Sequence, residues 1–260
     1  MKNLKNRLVF SLSYFCLWIG YFIFARLFFL LFYFEKTQNL SINTTLKTFL
    51  YGARLDASFS GYLCILPFLL ILFSLFRNPK KIGNLIKWYS YILLISLTLL
   101  LIIDASLYAS WGVRLDTTLF TYLNTPEVML ASVAASQMTF GLLFWFVVSF
   151  VFMKIFKKII TKNIEKITKG NWKQAPLFLL LIVFLLVPIR GGLQTIPVNQ
   201  SNVYFSNQMF ANHAALNFVW NFSNALTHKS NGKNPYTNFT NEVAKTIINK
   251  NKNALVKTNQ

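Results

Sequence analysis

Five apolar runs divide the chain, at about Leu8–Phe34, Ser58–Phe76, Trp88–Ser110, Met138–Phe156 and Pro176–Ile189. A helix needs about 20 apolar residues to cross a bilayer core, and lipid forces the backbone of such a run to satisfy itself internally. Each run therefore predicts a transmembrane helix. The fifth is short unless it extends from Trp172 to Leu193. Between the runs, Glu35–Ala57 reads as a polar loop, and Leu115–Gln137 as a half-polar surface helix whose start is marked by Pro126 and Glu127. Val187–Phe222 is a different kind of segment. Pro188, Gly191, Gly192 and Pro197 break any helix arriving from upstream, and the residues up to Phe222 mix aromatics, asparagines and small side chains. Beyond it the chain turns Asn/Lys/Thr-rich, with one short helix expected at Glu242–Asn249.

The pattern predicts an all-α integral membrane protein with five transmembrane helices. Residues 1–193 would form the membrane domain, 194–228 a juxtamembrane segment and 229–260 a linker. Composition agrees: 55% of residues are hydrophobic and only 13% charged, against about 25% charged in a soluble domain. The net charge of +19 would suit a nucleic-acid binder, but the basic residues flank apolar runs instead of gathering in one domain, so no nucleic-acid partner is expected. Lys2, Lys5 and Arg7, then Arg77, Lys80, Lys81 and Lys87, then the lysines from Lys154 to Lys173 fall on one side. The opposite short loops hold only Lys36, Lys47, Arg54 and Arg114. The positive-inside rule then places the N-terminus in the cytoplasm and the C-terminus outside. The localisation this implies is a cytoplasmic membrane, crossed several times.

A short repeat punctuates the outer side, where aromatic-Gly-x-Arg-Leu-Asp occurs as Tyr51–Asp56 and again as Trp111–Asp116. With Arg26 late in the first run, Asp104 late in the third and Arg190 after the fifth, four arginines and three aspartates meet one membrane plane. Ionisable groups in spans are costly unless paired or hydrated, which makes them default functional candidates. Arg26 and Asp104 lie at similar depth, about 24–27 Å along their helices, and are expected to pair. Arg54, Arg114 and Arg190 are candidates for a lipid-headgroup site, because guanidinium forks match phosphate, with Asp56, Asp116, Arg26 and Asp104 as supporting charges. Plain loop-to-loop ion pairing is the competing reading. Asn199, Tyr204, Asn212, Asn217 and Trp220 are candidates for contact with a partner domain or headgroup, or for simple packing. No catalytic motif and no metal-ligand spacing is present, and the two histidines, His213 and His228, have no carboxylate near them in sequence.

Arg190-Gly-Gly-Leu-Gln, Asn199–Ser206 and Asn212–Trp220 resemble the membrane-exit region of the lipoteichoic acid synthase family, and the two G-x-R-L-D motifs and five-span plan are similar to that family as well. These are sulfatase-like phosphoglycerol transferases of the alkaline phosphatase superfamily. The resemblance implies a membrane anchor for a C-terminal catalytic domain, with presentation of an anionic, phosphatidylglycerol-like lipid to that domain as a further role. The catalytic domain carries a threonine nucleophile and a divalent metal, usually manganese. None of its motifs occurs here, so the chain is expected to be the membrane part without the catalytic domain. The alternatives from other classes are a small transporter or flippase, and a non-enzymatic membrane scaffold. Within the family, phosphoethanolamine transfer is the variant.

Overall fold

The computed structural model describes the backbone of residues 2–123 and 135–227, with isolated positions beyond 240. The described residues form helices and no strand. Five helical stretches are long and apolar enough to cross a membrane: Asn3–Phe32, Ile42–Phe73, Pro79–Trp111, Met138–Ile164 and Trp172–Arg190. The elements that carry them are α1 (Lys2–Phe32), α3 (Ile42–Phe73), α4 (Pro79–Trp111), α6 (Ala135–Ile164) and the consecutive α7 (Ala175–Phe184) and α8 (Leu186–Arg190). Shorter helices are α2 (Phe34–Gln38), α5 (Thr118–Leu123), α9 (Met209–Ala215) and α10 (Phe218–Thr227). Residues 1–226 form one compact unit and Thr227–Gln260 another. The expected helix start at Pro126 and Glu127 lies outside the described residues, as does half of Glu242–Asn249, whose described positions are helical.

Two boundaries differ from the sequence reading. Glu35–Ala57 is mostly not a loop, because α3 begins at Ile42. Its N-cap is Ser41, whose hydroxyl accepts from the Thr44 amide at 3.1 Å. The helix therefore carries the first repeat in the two turns just ahead of the apolar run. Likewise α4 begins at Pro79, ahead of the third apolar run, so the Arg77–Lys81 stretch both separates α3 from α4 and starts α4. Asn78 caps it, accepting from the Lys80 amide at 3.0 Å, and Pro79 occupies the first turn, where its missing N–H costs nothing.

Adjacent spans run antiparallel. Phe28 stacks on Phe144 and Tyr14 meets Phe156 edge-on, so α6 descends beside α1. Tyr14 and Tyr21 share hydrogen bonds with Ser90 and Thr98, which sets α4 parallel to α1. Ser58 donates to the Ile189 carbonyl at 2.7 Å, pinning α8 to the start of the buried part of α3.

At the core, α1 presents a ladder of aromatics, Phe10, Tyr14, Trp18, Tyr21 and Phe22, all at most 1% exposed. Their three- and four-residue spacing keeps them on one face, and edge-on contacts lock them, with Trp18 and Phe156 centroids 4.9 Å apart. The faces of α6 and α7 turned away from this core stay apolar and exposed, as lipid-facing helices require.

One end of the bundle, the lysine end, carries most of the basic residues. Arg7 is fully buried there. Its guanidinium donates to the Ile71 and Ser74 carbonyls at the end of α3, to the Ser74 hydroxyl, and to the Thr168 carbonyl at 2.6 Å. It ties α1, α3 and the loop after α6 together.

Trp18→Ala removes the largest fully buried side chain, and the cavity should cost roughly 3 kcal/mol. Trp88 is 67% exposed, with the Tyr91 ring edge-on beside it, and Trp88→Ala should cost under about 0.5 kcal/mol. Thermal melting of the two variants in the same detergent checks the difference.

Candidate functional site

The site lies at the end opposite Arg7, where α9 and α10 fold back onto the bundle. It consists of two buried ion pairs, one on each side of the C-terminus of α9. In the first, Arg26 of α1 grips Asp56 of α3 with both guanidinium nitrogens, at 2.6 and 3.0 Å. The same guanidinium donates from Nε to the Ala214 carbonyl at 3.0 Å and from Nη2 to the Ala215 carbonyl at 3.2 Å. Asp56 Oδ1 also accepts from the Asn217 amide at 2.9 Å. In the second, Arg114 donates from Nε to Asp104 Oδ1 at 3.1 Å, and its Nη2 lies 2.8 Å from Oδ2. Its Nη1 donates to the His213 carbonyl at 3.0 Å. The Leu115 amide completes the shell of Asp104 at 2.8 Å. Arg114 also lies over the Phe29 ring, 4.0 Å from its centroid.

The carbonyls of His213, Ala214 and Ala215 are thus all held by arginine. They belong to the last helical turn, where cations are favoured; the His213 carbonyl also accepts from the Leu216 amide at 3.2 Å. The position of Arg26 depends on Gly52. A Cβ at that position would collide with the Arg26 guanidinium and approach the Ala215 carbonyl to 2.5 Å. The second repeat glycine works differently. Gly112, with φ of 69°, ends α4 in the left-handed conformation, so the chain turns and Arg114 comes back over Asp104.

The expected Arg26–Asp104 pair is therefore corrected. Both residues are ion-paired and at the same end, but Arg26 takes Asp56 and Asp104 takes Arg114. Equal depth along two helices does not fix which way each side chain faces. The three headgroup candidates also separate. Arg114 is 4% exposed and its donors are occupied, so it is not available to a headgroup. Arg54 is exposed, lies over the Tyr51 ring and donates to the Asn202 carbonyl at 3.3 Å. Arg190 is exposed and donates to the Thr195 carbonyl at 3.0 Å. Asp116 caps α5 by accepting from the Thr118 amide.

The asparagine candidates serve the fold of residues 194–226. Asn199 caps a short 3-10 turn at Gln200–Val203. Asn212 accepts from the Phe205 and Ser206 amides and donates to the Ser206 carbonyl, closing the loop before α9. Asn217 accepts from the Val219 and Trp220 amides at the start of α10 while donating to Asp56. Trp220 is buried against Leu55, Val198, Val203 and Leu216. Tyr204 is 40% exposed, its ring 6.5 Å from that of His213.

Sequence reasoning misses two contributors. His213 is buried, and its Nδ1 shares a 3.0 Å hydrogen bond with the Tyr108 hydroxyl. Asn221 donates to the Leu115 carbonyl at 2.9 Å, tying α10 to the second repeat. The one signal for His213 is its position at the end of a short polar-aromatic helix with no acid nearby.

A separate groove of about 640 Å³ runs between α1, α3 and α7, walled by Leu12, Phe15, Phe68, Leu181 and Leu185, with Arg54 at one end. Among the described residues no group of three His, Cys, Asp or Glu is placed to hold a metal. Comparison with family models, with curated proteins and with solved structures finds no match.

Removing one member of a buried pair strands the other. Arg26→Gln or Asp56→Asn should each cost about 3–5 kcal/mol and expose residues 205–216 to proteases. Arg26→Met with Asp56→Leu should cost less than either single change. Melting temperatures and limited proteolysis in detergent read both, and a double variant less stable than both singles would contradict the pairing.

Burial, then the positive charges of Arg114 and Lys36, push the His213 pKa below its ordinary 6.5. The unfolded chain then binds more protons below pH 6.5, so the stabilisation is complete above that pH and is lost as pH falls through the folded value. His213→Gln should flatten this dependence, measured as melting temperature against pH from 5 to 8.

Proposed function

We propose that this chain is a five-span membrane anchor that fixes residues 194–226 rigidly at one membrane face and so positions whatever is joined after α10. The observation that carries this reading is the capture of three successive α9 carbonyls by two ion-paired arginines from α1 and the α4–α5 turn. A tether needs no such anchorage; a platform does. The basic residues gathered at the lysine end support a cytoplasmic location for that end and an extracytoplasmic one for the ion-pair end. The membrane is then a bacterial cytoplasmic membrane.

The sequence resemblance makes a phosphoglycerol-transferase-like protein of the lipoteichoic acid synthase type the parent of this anchor. The apolar groove ending at Arg54 supports a second role, in which an anionic phospholipid is held beside the platform with its phosphate at Arg54. Arg190 begins the turn that borders the same groove through Gly191 and Gly192. Catalysis itself would reside in a C-terminal sulfatase-like domain with its own metal. A transporter reading would want charges free to meet cargo, and the buried ones at the ion-pair end are consumed in pairs.

Single-cysteine labelling tests the orientation on which the platform depends. In a Cys16→Ser/Cys64→Ser background, Leu193→Cys, 92% exposed at the ion-pair end, should react with an impermeant maleimide on intact cells. Lys81→Cys should react only after permeabilisation. The reverse pattern overturns the reading.

A further inference from the structure

A second groove, about 700 Å³, runs between α1 and α6 toward the lysine end. Its long walls are Val9, Leu17, Phe152, Ile155 and Ile159, and it closes on Lys162, Asn163 and Lys166. From Phe152 to Lys162 the apolar stretch is roughly 15 Å at 1.5 Å per residue. It lies on the part of the bundle that faces lipid, because α6 buries little of its own surface within the protein.

The charges at its closed end are unbalanced. Lys162 is in the last turn of α6 and Lys166 in the turn just beyond it, and both line this end of the groove. Among the described residues neither ammonium is ion-paired; the two salt bridges found are both at the other end. Asn163, 8% exposed, lies between them. Two like charges at the foot of an apolar channel complement one kind of ligand, an anion that carries a hydrocarbon chain. A small hydrated anion would gain nothing from the channel, and a neutral lipid nothing from the lysines. Gly20 lines the channel and leaves it open, since a Cβ there would meet nothing within 4 Å.

We propose that this groove binds one anionic phospholipid from the leaflet at the lysine end. Its phosphate sits between Lys162 and Lys166, and one acyl chain lies along Leu17, Phe152 and Ile155. The site would couple α1 to α6 in a membrane of the right charge. It is distinct from the Arg54 groove and holds whichever way the protein faces.

The test uses the full chain in nanodiscs of mixed phosphatidylglycerol and phosphatidylcholine, released into native mass spectrometry. The expected result is one retained phosphatidylglycerol per chain whose affinity drops roughly tenfold in the Lys162→Gln/Lys166→Gln variant. Lys80→Gln/Lys81→Gln, which removes the same charge from the same end outside the groove, should leave retention unchanged. Gly20→Leu should reduce it with all lysines intact. Cys16 is exposed and lines the groove, whereas Cys64 is buried. Alkylation by N-ethylmaleimide therefore reads occupancy at Cys16, and it should be slower in phosphatidylglycerol than in pure phosphatidylcholine only while both groove lysines are present. Equal loss in the Lys80/Lys81 variant, equal retention of phosphatidylcholine, or displacement by soluble glycerol phosphate would each overturn the proposal.

Discussion

A guanidinium taken out of water must have its donors matched, because it cannot shed its proton to escape the cost. Arg26 and Arg114 meet that demand with two kinds of acceptor at once. A carboxylate from the bundle supplies charge, and the free carbonyls at the end of α9 supply the remaining oxygens. The helix needs the arrangement as much as the arginines do. Seven residues are too few for a helix to stand alone in water, and the arginines give the carbonyls of Ala214 and Ala215 their partners. The docking of residues 194–226 is therefore the way in which the charges inside the bundle become tolerable. Lysine could not substitute, since a point charge cannot span a carboxylate and two carbonyls in one plane.

The two copies of the repeat reach this arrangement by opposite routes. In the first, α3 is unbroken through Tyr51–Asp56, so Asp56 points inward and Arg54, two residues earlier, points out. In the second, the left-handed Gly112 ends the helix, and the reversal turns Arg114 inward while Asp116 caps the next helix. One motif thus contributes the acid of its pair and the other contributes the base. The complementary charges, Arg26 and Asp104, come from the spans themselves. Only the leucine does the same job twice, with Leu55 and Leu115 both essentially without exposure.

The five crossings are legible because hydropathy over a span-length window is a strong signal, and lipid permits few alternatives to a helix. The ends are less so. Thr45, Lys47 and Thr48 make the start of α3 look like a loop, yet a helix that rises out of the bilayer has no reason to be apolar all round. That charges converge at one end can be read from position along each axis. Their pairing cannot, since it depends on rotation about the axis, which position does not record. A usable hint is present in Gly52, one turn before Asp56, because a residue with no side chain beside a buried acid leaves room for a large partner to lie flat. Arg7 escapes a sequence reading for a different reason. A basic residue at the foot of a span is ordinarily a topology signal with its head in water, and nothing in the sequence marks one that turns inward onto the carbonyls of α3.

The two ends also treat buried charge differently, and the difference accumulates. Arg7 is held by carbonyls and a hydroxyl alone, so its positive charge survives burial and adds to that of the surrounding lysines. At the opposite end, Arg26 and Arg114 are each cancelled by an aspartate, which leaves that end close to neutral despite its arginines. Counting basic residues by loop therefore understates the contrast between the ends, because it scores a paired arginine like a free one. The internal pairing that locks α9 in place also keeps the net charge of that end low. A single placement of two aspartates serves both packing and charge distribution, and the cost of burying four charges is offset within the same set of contacts.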